Sequence, residues 1–260
     1  MKKSANRFLV LIFSVVCVAV CVLFANLLSS AITVSGSATN STYSSFCIYG
    51  ISVGEFSSKS SAENLSVETK KKGGAGYVFK QDSLYHVLAS AYEKENDAKL
   101  VQKNLIESGI EARIIEIDFD VANFSNISSI DQKKEFESAF SKLKEAFLNL
   151  YDISVSLDTK SFDETKAKIK IIEVKSNLEK TVNSLSKGNS SVDGIYYQMI
   201  KNTYDEIEKE LTELKDYENI NEVSLSSRIK YVYIDVLNKL DDLTENINNE
   251  IWKLWIIKMF

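Results

Sequence analysis

The chain has 260 residues, 45% of them apolar and 26% charged, with a formal net charge of −5. That is enough apolar material for one or two packed domains, and the lack of a basic stripe in either half argues against nucleic acid as a partner. One histidine in the whole chain excludes a multi-histidine metal centre, and the absence of proline excludes a proline-rich spacer and permits long helices.

Lys2, Lys3 and Arg7 precede a stretch, 8–28, that carries no charge. Its length suits a helix spanning a bilayer core, and the basic flank stays in the cytoplasm. The expected division is 1–30 as cytoplasmic stub and transmembrane anchor, then 31–45 as a flexible tether rich in Ser, Thr, Asn and Gly. Ser29 and Ala31 also fit a small-x-small cleavage site, so a signal peptide removed after export is the competing reading. Cys17 and Cys21, one helical turn apart inside the apolar stretch, are explained as small packing residues. Cys47 is the only cysteine beyond it, which leaves no intrachain disulfide.

The next stretch, 45–118, repeats itself at an offset of 36 positions without a gap. Tyr49 falls on Tyr85, Ile51 on Val87, Val53 on Ala89 and Phe56 on Tyr92; further on, Ala62 falls on Ala98, Gly73 on Gly109 and Gly76 on Ala112. A fixed period of this kind marks a duplicated supersecondary unit. Within each copy, period-2 alternation (Tyr49, Ile51, Val53; Tyr85, Val87, Ala89) predicts a strand. A helical stretch follows, with N-cap residues among 57–61 in the first copy and Asn96 or Asp97 as cap in the second. Glycine stops each helix and a second strand follows, at 77–80 and 112–117. Two such halves predict a four-stranded antiparallel sheet with both helices on one face, the split-βαβ (ferredoxin-like) plan, over 46–119.

Tyr49-Gly-Ile-Ser-Val-Gly-Glu-Phe56 resembles the opening motif of the SPOR domain, the sporulation-related repeat of bacterial envelope proteins, and Tyr85-His-Val-Leu-Ala-Ser-Ala-Tyr92 resembles its second half. The resemblance implies a domain that binds peptidoglycan, preferring glycan strands stripped of stem peptides, on the sheet face opposite the helices. The order of anchor, SPOR-like domain and helical region is most similar to septum-associated proteins of stage II sporulation. Carried over position by position, the implied glycan contacts are Ser52, Glu55, Leu84 and His86. Ser52 and Glu55 replace the family's Gln and Ser, His86 stands for a basic residue, and Leu84 for an aromatic. Glu55 can accept hydrogen bonds from sugar hydroxyls and would repel the carboxylates of uncleaved stem peptides.

A polar connector, 120–130, leads to a region, 131–260, of helical periodicity. Phe136, Phe140, Leu143, Phe147 and Leu150 form one apolar stripe, and Ile171, Val174, Leu178, Val182 and Leu185 a second. Tyr196, Ile200, Tyr204, Ile207, Leu211 and Leu214 form a third; Ile229, Tyr233, Val236, Leu240, Leu243 and Ile247 a fourth, with Ser224 as cap. Short connections at 186–191 and 218–223 favour antiparallel neighbours, hence an all-α antiparallel bundle, although each stripe could also serve as a coiled-coil seam. The closing stretch 251–260 holds Trp252, Trp255, Ile256, Met259 and Phe260 with apolar residues on more than one face. Packing at the bundle end is one reading; a membrane-interface contact or a partner surface is the other.

No motif for catalysis emerges. The acids scatter along solvated helix faces, Gly73, Gly74 and Gly76 lack the phosphate-loop spacing, and His86 is the one available base. The expectation is therefore an anchored, non-catalytic protein without cofactor or metal. Its expected partners are peptidoglycan glycan strands, the membrane through the first helix, and other envelope proteins through the bundle. The alternative is an interaction scaffold whose sheet no longer holds sugar, with a cell-wall hydrolase as a third option.

Overall fold

A computed structural model describes residues 44–127, 129–188, 191–218 and 222–259, with backbone alone at 191 and 251–259. The expected anchor, most of the tether, and Cys17 and Cys21 lie outside the described residues. Among the described residues no helix is long and apolar enough to cross a membrane.

In chain order the elements are β1 (Phe46–Phe56), α1 (Lys59–Lys71), β2 (Tyr77–Gln81), β3 (Leu84–Tyr92), α2 (Glu95–Glu107) and β4 (Arg113–Phe119). Then come α3 (Ile130–Asp158), α4 (Glu164–Ser184), α5 (Ser191–Lys215) and α6 (Leu225–Met259). The duplication is visible in the bounds: α1 and α2 begin and end 36 positions apart, and β2 and β4 begin 36 apart. Gly73 and Gly109, the matched stops, both adopt positive φ, +90° and +79°, which glycine tolerates without a Cβ penalty. The central strands pair across a local pseudo-twofold axis. Tyr49 lies opposite Tyr92, the repeat counterpart of Phe56, and Phe56 lies opposite Tyr85, the repeat counterpart of Tyr49.

The strand order is β2-β3-β1-β4 with every neighbour antiparallel, so each βαβ unit is split by a strand of its twin, as expected. Asp82 and Ser83, both at positive φ, close the β2–β3 hairpin as a two-residue turn whose twist suits the flanking strands. Ser58 caps α1 by accepting from the Ser61 amide. At α2 the expected cap is displaced: the helix begins at Glu95 and Lys94 takes the cap position without a side-chain bond. Acidic Glu95 and Asp97 in the first turn complement the dipole there instead. Ile51, Ala98, Leu105 and Ala112 form a small core between the sheet and α2.

The opposite sheet face departs from expectation. It is filled by the protein's own helical half, not open. Ile48, Leu88, Ala91, Ile117 and Phe119 belong to one continuous buried cluster with Phe140, Phe147, Tyr233, Ile234 and Leu237 of the bundle. The reason lies partly in unfinished backbone pairing. β2 begins at Tyr77 opposite Leu88, so β3 beyond Leu88 has no strand on that side. The Ala75 amide takes the Ala89 carbonyl at 2.7 Å, and the Ala91 amide donates to the Tyr233 hydroxyl of α6 at 3.3 Å. Buried amides must find a partner, and α6 supplies one. Ser227 and Lys230 donate to the Gly74 and Gly73 carbonyls, and the Tyr77 hydroxyl to Asp235, tying α6 to the α1–β2 turn.

The four long helices form the antiparallel bundle that their stripes predict. Asp163 caps α4 and Ser224 caps α6, accepting from the Lys166 and Ser227 amides. Ser226 near the start of α6 reaches Asp158 at the end of α3, so these two run in opposite directions. The Tyr204 hydroxyl of α5 donates to the Ala139 carbonyl of α3 across the buried centre.

Candidate functional site

The end of the sheet away from α6 carries the polar residues that the sequence singles out. β1 shifts register twice between Ile51 and Glu55, an irregularity that bends the strand and re-aims its side chains. Gly54 stands inside this bend, where a Cβ would come within 2.4 Å of the Leu65 side chain of α1. Ser52 Oγ donates to the Gly54 carbonyl at 3.0 Å and lies 3.5 Å from His86 Nδ1. Glu55 Oε2 is 3.9 Å from the same nitrogen and 3.8 Å from Arg113 Nη1, and Arg113 also meets Glu111 at 3.4 Å.

Three of the four expected contacts thus converge, and the fourth does not. Leu84 opens β3 opposite Gln81, half-buried and outside the cluster. Burial also divides the three: Ser52 is 4% exposed and His86 7%, so neither can reach a polymer, whereas the Glu55 side chain keeps 39% of its surface. The sheet itself contributes to this closure. Gln81 on edge strand β2 donates to the Glu116 carbonyl on the other edge strand, β4, so the sheet curls until its margins meet. What remains accessible is a cleft of about 330 Å³ lined by Ser52, Glu55, Phe56, Leu65, Glu111 and Arg113. The sequence reading does not reach Arg113 and Glu111, because Arg113 opens the last strand and Glu111 stands just before it, outside both repeated motifs.

The geometry is not that of an activated nucleophile. A hydroxyl and a carboxylate on opposite ring nitrogens would let the imidazole relay a proton. Here Ser52 and Glu55 address the same nitrogen, and the Ser52 hydroxyl hydrogen is held by a carbonyl. Among the described residues no three His, Cys, Asp or Glu side chains converge as metal ligands.

A second charged group lies where α5, α6 and β2 meet. Lys239 contacts Asp235, Glu206 and Glu210, and Asp235 also accepts from Tyr77. Burial, then the nearby Asp235 carboxylate, pushes Glu210 up to about 7 against the opposing pull of Lys239. Burial and then Asp235 likewise raise Tyr77. These groups bind the two halves of the molecule together and open onto no cleft among those described. No family model, curated protein or solved structure gives a significant match to this chain.

Proposed function

We propose that this is a membrane-anchored, non-catalytic envelope scaffold, with a SPOR-like sheet built into a single unit with a helical bundle that recruits protein partners. The observation that carries the reading is the occupied sheet face. The surface a SPOR domain would offer to glycan holds Tyr233, Ile234 and Leu237 of α6, with Ser52 and His86 buried beside it. The partner surface follows from what the bundle leaves outside. Ile169 and Ile172, 52% and 45% exposed, stand one turn apart on the outer side of α4.

Purified chain incubated with intact and amidase-treated sacculi tests the reading. Equal recovery from both is expected; enrichment on denuded sacculi would overturn it. In cells, Ile169→Ser with Ile172→Ser should disperse a full-length fluorescent fusion from its sites, while Glu55→Ala with Arg113→Ala should leave it in place.

The rim cleft supports a second reading, in which sugar binding persists at the sheet end. Phe56 offers an apolar ring, and Glu55 and Arg113 offer hydrogen-bonding groups to hydroxyls. That reading predicts enrichment on denuded sacculi, abolished by Glu55→Ala with Arg113→Ala, and places the site at the rim of the sheet instead of on its face.

A further inference from the structure

The end of α1 and the start of α6 bring together two cations that lie far apart in the sequence. Lys70 Nζ stands 4.5 Å from the centre of the Tyr231 ring. Arg228 Cζ stands 5.7 Å from the same ring and 5.8 Å from that of Tyr217. Both side chains are held in place. The Lys70 stem runs along Gly76, where a Cβ would come within 2.7 Å of its Cγ. Arg228 rises from the first turn of α6, and Tyr217 beside it is fixed by donating to the Val223 carbonyl at 2.9 Å. Among the described residues neither cation takes part in an ion pair, and the Arg228 Nε–H is buried without an acceptor.

Lysines at the end of a helix ordinarily serve its last carbonyls and its dipole. That explanation covers Lys71 and Lys72 and leaves Lys70 out. The Glu68, Thr69 and Lys70 carbonyls of α1 accept from the Lys72, Gly73 and Gly74 amides. The Gly73 and Gly74 carbonyls beyond accept from Lys230 and Ser227 of α6. Lys70 is turned to Tyr231 instead. The carboxylates near this junction are committed elsewhere: Asp158 to Lys230, and Asp235, Glu206 and Glu210 to Lys239. Burial, then the Arg228 charge, holds Lys70 below its ordinary value, as expected of like charges kept close with no anion between them.

We propose that Lys70 and Arg228 form a site for one phosphate group, held between the ammonium and the guanidinium beside the Tyr231 ring. The guanidinium fork suits phosphate oxygens, and lysine adds a compact charge with rotatable donors. A phosphate monoester carries about −1.5 to −2 near neutral pH, which matches two cations, where a single carboxylate leaves one unbalanced. Exposed Lys71 and Lys72 stand next in the chain and extend the positive field beyond the site. The site shares no residue with the rim cleft, so it stands whether or not sugar binds there. No local pattern shows it, because residues 70 and 228 become neighbours only where α6 packs over the α1–β2 turn.

Calorimetric titration of the full-length chain in uncharged detergent with inorganic phosphate gives the dissociation constant. Thermal unfolding then checks it, with phosphate exchanged for chloride at constant ionic strength. Phosphate at about ten times that constant should raise the midpoint by about 3–5 °C. Lys70→Gln and Arg228→Gln should each weaken binding about tenfold or more, and Arg228→Lys, which keeps the charge and loses the fork, by less. Lys71→Gln should bind as the parent does. Absence of heat and of a midpoint rise in the parent overturns the proposal, however the variants fold. A rise that acetate reproduces, or that survives in Lys70→Gln with Arg228→Gln, is a general salt effect and overturns it as well. Equal losses in Lys71→Gln and Lys70→Gln would replace the site with a diffuse basic patch and overturn the assignment. With the phosphate effect established, doping the micelle with phosphatidylglycerol separates the sources. A rise without added phosphate, lost in the paired variant, identifies a lipid headgroup; no rise identifies a soluble phosphate compound.

Discussion

Glu210 and Tyr233 show how single buried side chains set the stability of this protein. Glu210 keeps its proton in the folded state up to about 7, because burial and Asp235 disfavour its charge more than Lys239 favours it. An unfolded glutamate releases its proton near 4.3. Folding therefore takes up a proton between those two values. The stability from this group is fully present below the lower one and is lost as pH rises through about 7. Glu210→Gln should flatten the dependence of the denaturation midpoint on pH across that window, with its largest gain over the parent at pH 8. A parallel pair of curves would refute the assignment. Tyr233→Phe strands the Ala91 amide beneath α6, at a cost of about 1–3 kcal/mol in urea unfolding.

The repeat gives a control at the scale of elements. Gly76 and Ala112 are counterparts, and alanine is accommodated at the second position. At the first, φ is +58° and a Cβ would stand 2.4 Å from the Ser66 carbonyl oxygen. Gly76→Ala should cost about 1–3 kcal/mol, read as a lowered denaturation midpoint, although the same helix-to-strand link holds an alanine in the other copy. The duplicated pattern was legible in sequence because matched strands need matched alternation. What broke the symmetry was not. α6 packs against one end of the sheet, over Tyr77, Ala91 and Phe119, and leaves the pseudo-symmetric end to the polar cluster. A signal for this was present in α6. Ile234 and Leu237 lie off its bundle stripe, and they line the crevice against Phe79 and Ile117. A helix apolar over more than one stripe buries two faces.

For the molecule as a whole, the consequence is cooperativity. Ile48, Leu88 and Phe119 share one cluster with Phe140, Leu143 and Leu240, so neither half can present a finished surface without the other. The ranges 46–119 and 131–260, separable in the sequence reading, behave here as parts of one packed body. In hydrogen exchange, amides of β3 and the middle of α6 should share the slowest opening free energy, since both are released only by global unfolding. Exchange of β3 at a distinctly lower free energy would show the sheet to be an independent unit.

Sequence by itself determined the local plan: the strand–helix–strand units, their stops at Gly73 and Gly109, the split sheet they imply, and four helices, the last with its cap at Ser224. Each of these follows from periodicity and backbone preference within a few residues. Only the tertiary structure decided which face stays open. Ser52 and His86 sit on the face the alternation assigns them, yet burial there depends on residues far along the chain, on Tyr233 accepting an orphan amide and on Gln81 reaching β4. Alternation tells which way a side chain points; what stands over it is set by contacts between distant segments, which no local pattern records.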